Sequence, residues 1–243
     1  MTVSPLSDRR RLRIAGIAAL VAGLGFLPQP LLIFVLPAPD GAEFFPADRM
    51  PELYARATIQ AVTWGVFSSA LIVAVVAIAC VARPTLWSRI GAVFGLIGGA
   101  AWLIESASRL GPRAGGVVDH LADAGVSEQI QGAILYLLDV VDLGWTALGA
   151  IAVGVWFLML ATSGTSPFRS RVVRAVAGIV GAFQIVATYA FPLPIGGFAI
   201  FALLIVLGIA LLVTTRRGAV RGQATEVPAS SETDAAPAAN PSA

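Results

Sequence analysis

Long apolar runs, broken by short polar stretches, dominate the chain. Six of them approach or exceed the roughly 20 residues that carry a helix across a bilayer: 14–36, 58–82, 90–109, 130–162, 172–190 and 195–214. The pattern predicts an all-α fold, a polytopic transmembrane bundle of six helices filling 1–215. Residues 216–243 differ. They are rich in Ala, Pro, Ser and Thr and show no apolar period, so burial cannot offset the entropy of ordering them. This stretch is expected to be a disordered cytoplasmic tail.

Arginine sets the threading. One set of helix ends carries Arg9, Arg10, Arg11, Arg13, Arg83, Arg89, Arg169, Arg171, Arg174, Arg216, Arg217 and Arg221; the other carries Arg49, Arg56, Arg109 and Arg113. Basic residues in short loops stay on the cytoplasmic side, so both termini are expected in the cytoplasm. The opening MTVSPLSDRRRLR looks like the start of a signal peptide. Its apolar run is too long and lacks a small-x-small cleavage site, which predicts an uncleaved first helix. The outer side then has loops at 37–57 and 110–129 and a tight turn at Phe191-Pro192-Leu193-Pro194.

Composition agrees with this threading. Charged residues are 12% of the chain, about half the soluble norm. All 16 basic residues are arginine, which together with abundant Ala, Val and Gly points to a GC-rich bacterial source and a plasma-membrane location. A pI near 9.2 is explained by arginines flanking apolar runs, so no nucleic-acid partner is expected. The single cysteine, Cys80, excludes an intrachain disulfide.

Polar residues within the spans fall at one level. Counting inward from the arginine ends at about 1.5 Å per residue places Gln29, Gln60, Thr63, Glu105, Asp139, Asp142, Gln184, Thr188 and Tyr189 in the outer halves of their helices. Steps of three and four put Asp139, Asp142, Thr146 and Gly149 on one stripe. Gly98, Trp102, Glu105 and Arg109 form a second, and Ala177, Gly181, Gln184 and Thr188 a third. Such stripes face other helices. Pro28-Gln29-Pro30 interrupts the first helix at the same level and frees carbonyls that need protein or water. These features predict an outward-facing acidic pocket with Glu105, Arg109, Asp139, Asp142, Gln29, Gln184 and Thr188 as binding residues. Glu105 and Arg109 are spaced to pair on one helix face. Trp64 and Trp145 are expected in an outer aromatic belt.

Glycines suggest where helices meet. Gly91, Gly95 and Gly99 recur every fourth residue, and Gly181 follows Ala177 at the same spacing. Pro84 stands 11 and 14 residues before Gly95 and Gly98; Pro167 stands at the same intervals before Gly178 and Gly181, a pattern that fits two duplicated hairpins.

Little points to catalysis. His120 is the only histidine, and Cys80 belongs to the opposite side of the membrane, so no metal spacing exists. No phosphate-binding loop or nucleophile elbow occurs. No cofactor and no catalytic residue is expected, although chemistry by Glu105, Asp139 and Asp142 alone is a third reading.

Arg13-Ile14-Ala15-Gly16 opening the first helix, the Arg89–Glu105 stretch, and Pro167 with its arginine-bearing turn into a Gly-rich fifth helix resemble a bacterial family of small integral membrane proteins known only as a domain of unknown function. The resemblance covers roughly 10–215 and misses the tail. It implies six helices and no assigned activity, so it carries over no functional residues. Two functional expectations follow. The chain binds or moves a cation, a proton or a small amphiphile at the acidic pocket, or it is a non-catalytic accessory protein. Its expected partners are the lipid bilayer and a second copy or another membrane protein.

Overall fold

The computed structural model describes residues 5–28, 50–82, 85–110, 117–163, 171–190 and 197–225. These form α1 (Pro5–Phe26), α2 (Met50–Val81), α3 (Leu86–Leu110), α4 (Val117–Asp123), α5 (Glu128–Ser163), α6 (Arg171–Ala190) and α7 (Gly197–Thr225). No strand occurs among the described residues. Among the described residues, four stretches are long and apolar enough to cross a membrane: Thr58–Val81, Leu86–Ser108, Gln129–Thr162 and Arg171–Ala190. Ala199–Thr215 is apolar but shorter.

Several helices outrun the apolar pattern. α1 begins at Pro5, so Arg9 to Arg13 ride on helix, not on a leading coil. α2 begins at Met50 and α4 occupies 117–123, which makes parts of both expected outer loops helical. α7 continues to Thr225, beyond the expected start of the tail. Intrahelical hydrogen bonding does not stop where lipid stops, so an apolar count marks the immersed part of a helix and not its ends. The remaining tail, the Phe191–Pro194 turn, Gln29 and Pro30 lie outside the described residues. α1 ends just before Pro28.

Local signals set the helix starts. The Thr85 N–H donates to Ser88 Oγ at 3.0 Å, and the Ser88 N–H donates to Thr85 Oγ1 at 3.1 Å, a reciprocal cap on α3. Gly125, with φ 74°, reverses the chain after α4 at an angle that favours glycine. The Ser127 carbonyl then accepts the first bonds of α5, from the N–H groups of Ile130 and Gln131.

Every neighbouring pair of long helices is antiparallel. Arg11 on α1 reaches the Cys80 carbonyl at the end of α2. Gly95 and Gly99 on α3 lie against Val75 and Ile72 of α2, and Gly91 and Gly98 lie against Met159 and Val153 of α5. Arg174 of α6 bonds the Ala161 carbonyl near the end of α5. α7 packs back on α1, Gly208 against Gly16. The helices therefore follow one another around the bundle as α7, α1, α2, α3, α5 and α6, with a thinner contact between α6 and α7 closing the circuit. The starts of α1, α3 and α6 and the ends of α2, α5 and α7 share one end, which we call the arginine end.

The core runs through all six long helices. Its centre is aromatic: Phe26, Trp64, Phe67, Trp102 and Phe201 form a cluster with ring centroids 5.0–5.6 Å apart. Trp64 is 7% exposed, so it is a core residue and not a belt anchor. The ring meets other aromatics inside the bundle, and this outweighs its preference for the interface. Trp145 is half-buried.

Candidate functional site

Just beyond the aromatic cluster, away from the arginine end, the buried side chains turn polar. Glu105 is 0% and Asp142 3% exposed, and Ser106 and Thr146 are buried with them. Glu105 follows Trp102 by three residues on α3. Asp142 precedes Thr146 by four on α5. Both carboxyl groups therefore share a face with a residue already committed to the core.

Hydrogen bonds fix the level at which α3 meets α5. The Trp102 indole Nε1–H donates to the Thr146 carbonyl at 3.2 Å. One and a half turns further out, Ser108 Oγ lies 2.5 Å from Asp142 Oδ1 and 2.8 Å from the Glu105 carbonyl. Glu105 sits between these two crossings, within about one helical turn (~5 Å) of Asp142 along the axis. Thr146 Oγ1 donates to the Asp142 carbonyl at 3.0 Å, and Ser106 Oγ donates to the Ala61 carbonyl of α2 at 2.6 Å. Glu105 and Asp142 each take part in a further polar interaction. The outcome is two carboxyl groups from facing helices, buried at one level over an aromatic floor.

The other expected binding residues are not all drawn in. The side chains of Arg109 and Asp139, and all of Gln29, lie outside the described residues. Gln184 is 1% exposed on the inward face of α6. Gly181 opposes Gly154 of α5, so Gln184 is level with residues near 151, about 13 Å nearer the arginine end than Asp142. Thr188, half-buried, bonds the Gln184 carbonyl of its own helix at 2.8 Å. Gln184 thus belongs to a separate polar position. Its Oε1 is buried with no hydrogen-bond donor among the described residues. An unsatisfied buried amide destabilises by about 1–3 kcal/mol. Gln184→Leu is therefore expected to raise the unfolding midpoint in detergent; a lowered midpoint would mean that the amide has a partner.

Ser106 and Ser108 are the residues that sequence reasoning passed over. The available signal was small hydroxyl side chains next to Glu105 on a membrane helix, where they bond across to neighbours. His120 is exposed on α4, and Cys80 is exposed at the arginine end. Among the described residues, no group of three or more His, Cys, Asp and Glu side chains is placed to hold a metal ion. Compared with family models, curated proteins and solved structures, the chain matches none.

Proposed function

We propose that this is a six-span plasma-membrane protein with both termini in the cytoplasm, and that Glu105 and Asp142 form an intramembrane site for a proton or a small cation. The observation that carries the reading is the burial of two carboxyl groups on facing helices at one level. Buried acids held this close call for compensating positive charge, supplied by a proton, a cation or a basic side chain. Ser108 ties the two helices at this level, its hydroxyl reaching Asp142 Oδ1 across the contact between α3 and α5. The arginine bias, one end rich and the other poor, supports the orientation. The aromatic cluster beneath the acids is closely packed, which favours a site that binds its ligand over one that conducts it.

The test is stability as a function of pH and cation. Thermal midpoints of the wild type and of the E105Q/D142N variant would be measured in detergent from pH 4 to pH 9, with and without sodium or potassium. Both proteins carry the same loop acids and histidine, so the difference between the two profiles isolates the pair. A wild-type dependence on pH or cation that the variant lacks supports the site. Superimposable profiles overturn it.

A further inference from the structure

Where α5 ends and α6 begins, at the arginine end, Arg171 and Arg174 stand three residues apart on adjoining positions of one helix surface. Arg174 Nε–H donates to the Ala161 carbonyl at 2.7 Å in the last turn of α5. This bond fixes the plane of the guanidinium and leaves its terminal nitrogens to other partners. Neither arginine has an acidic partner among the described residues, and no described acidic side chain lies at this end. The connecting stretch, 164–170, adds Arg169 and no acid.

Around the helix from these arginines the outward surface of α6 is apolar. Val172, Val176, Ile179, Phe183 and Val186 are all exposed, at steps of four, three, four and three. The stripe runs about 21 Å along the axis, more than the ~15 Å depth of one leaflet. A Cβ at Gly178, on the side toward α5, would meet only the Ala161 methyl at 3.6 Å, so the surface between the two helices is low. From Arg171, Ala175, Gly178 and Ala182 continue a low apolar flank of α6 between that strip and α5, and cationic donors above such a flank match an amphiphile whose head is anionic and whose tail is hydrocarbon. We propose that this corner binds an anionic phospholipid, its phosphodiester on Arg171 and Arg174 and an acyl chain along α6. Planar guanidinium groups hold phosphate oxygens through paired N–H donors, which an ammonium group does not. α1 also carries exposed arginines, Arg10 and Arg13, beside apolar residues. No bond to a neighbouring helix fixes them, so they supply general surface attraction. This site is separate from the acid pair and requires only that the protein resides in a membrane.

The experiment is lipid binding to the purified full chain in a neutral detergent, read by native mass spectrometry with phosphatidylglycerol or phosphatidylcholine. The wild type is expected to retain phosphatidylglycerol and to release phosphatidylcholine. R171Q/R174Q is expected to bind phosphatidylglycerol roughly thirtyfold more weakly, at about a factor of five to six per arginine near an anionic headgroup. R10Q/R13Q removes the same charge from the same end and should change binding less than about threefold, as screened surface charges do. R171K/R174K keeps the charge but not the fork and should fall between, and it replaces the glutamine variant if that one fails to fold. Equal retention of the two lipids by the wild type overturns the proposal. So does equal weakening in R171Q/R174Q and R10Q/R13Q, which would show diffuse attraction. Displacement of phosphatidylglycerol by inorganic phosphate would overturn it as well, since the anion alone would then be the ligand.

Discussion

Trp102→Ala is expected to lower the stability of the folded bundle by about 3–5 kcal/mol, the range for removing a large aromatic from a packed core. The indole is 2% exposed. It contacts Trp64 and Phe67 with centroids 5.6 and 5.0 Å away. Its ring covers Gly149 so closely that a Cβ there would lie 2.4 Å from Nε1. Truncation would therefore open a cavity beside α2 and α5 together and free the Thr146 carbonyl. Trp102→Phe separates the two losses, because it refills most of the volume but cannot donate to Thr146. Reversible unfolding in mixed micelles measures both. If the alanine variant unfolds within 1 kcal/mol of wild type, the aromatic cluster is not the centre of the core.

The second large effect belongs to the contact between α5 and α6. A Cβ placed on Gly181 would lie 2.6 Å from the Gly154 carbonyl oxygen and 3.1 Å from the Leu158 nitrogen. These are backbone atoms, which cannot rotate away. Gly181→Ala therefore has to push the helices apart, at a cost of about 1–3 kcal/mol for overpacking. Gly178→Ala, one turn earlier, places its methyl at an ordinary 3.6 Å from Ala161. It should be neutral or stabilising by up to about 1 kcal/mol, since alanine is the better helix former. Opposite signs at two glycines three residues apart are a sharp test of the register of α6 on α5. Equal effects from the two substitutions would mean that the register is wrong.

Part of this architecture is legible in the chain. Apolar runs of membrane length announce helices, and three-and-four spacing puts Asp142, Thr146 and Gly149 on one face of α5. All three are buried. The direction of that face is harder to read. In water, a polar stripe marks the outside. In lipid both surroundings are apolar, so an all-apolar stretch gives no sign of which side is inward. Trp64 shows the difficulty, because an amphipathic ring suits an interface and an aromatic core equally well, and only its neighbours across the bundle decide. Gln184 shows the other gap. Its face was readable, but its level relative to Asp142 depends on how Gly181 seats on Gly154, a contact between distant parts of the chain. Ser108 offered only its nearness to Glu105 as a signal; that it meets an aspartate depends on how α3 seats against α5.

The seating of α7 against α1 bears on how the protein is made. Phe201, Ile205 and Gly208 lie against Gly23 and Gly16, so the opening helix takes one of its two principal neighbours from near the other end of the chain. Among the described helices, α2, α3, α5 and α6 each meet the long helix that precedes them, allowing for short α4, and can dock in order of synthesis. One flank of α1 lacks its partner through all of those steps. Its notches at Gly16 and Gly23 are filled only once α7 has been made, and such long-range closure is slower than contacts between neighbours in sequence. Until then the packed helices form an open arc with one side of α1 unfilled, exposed to wrong docking.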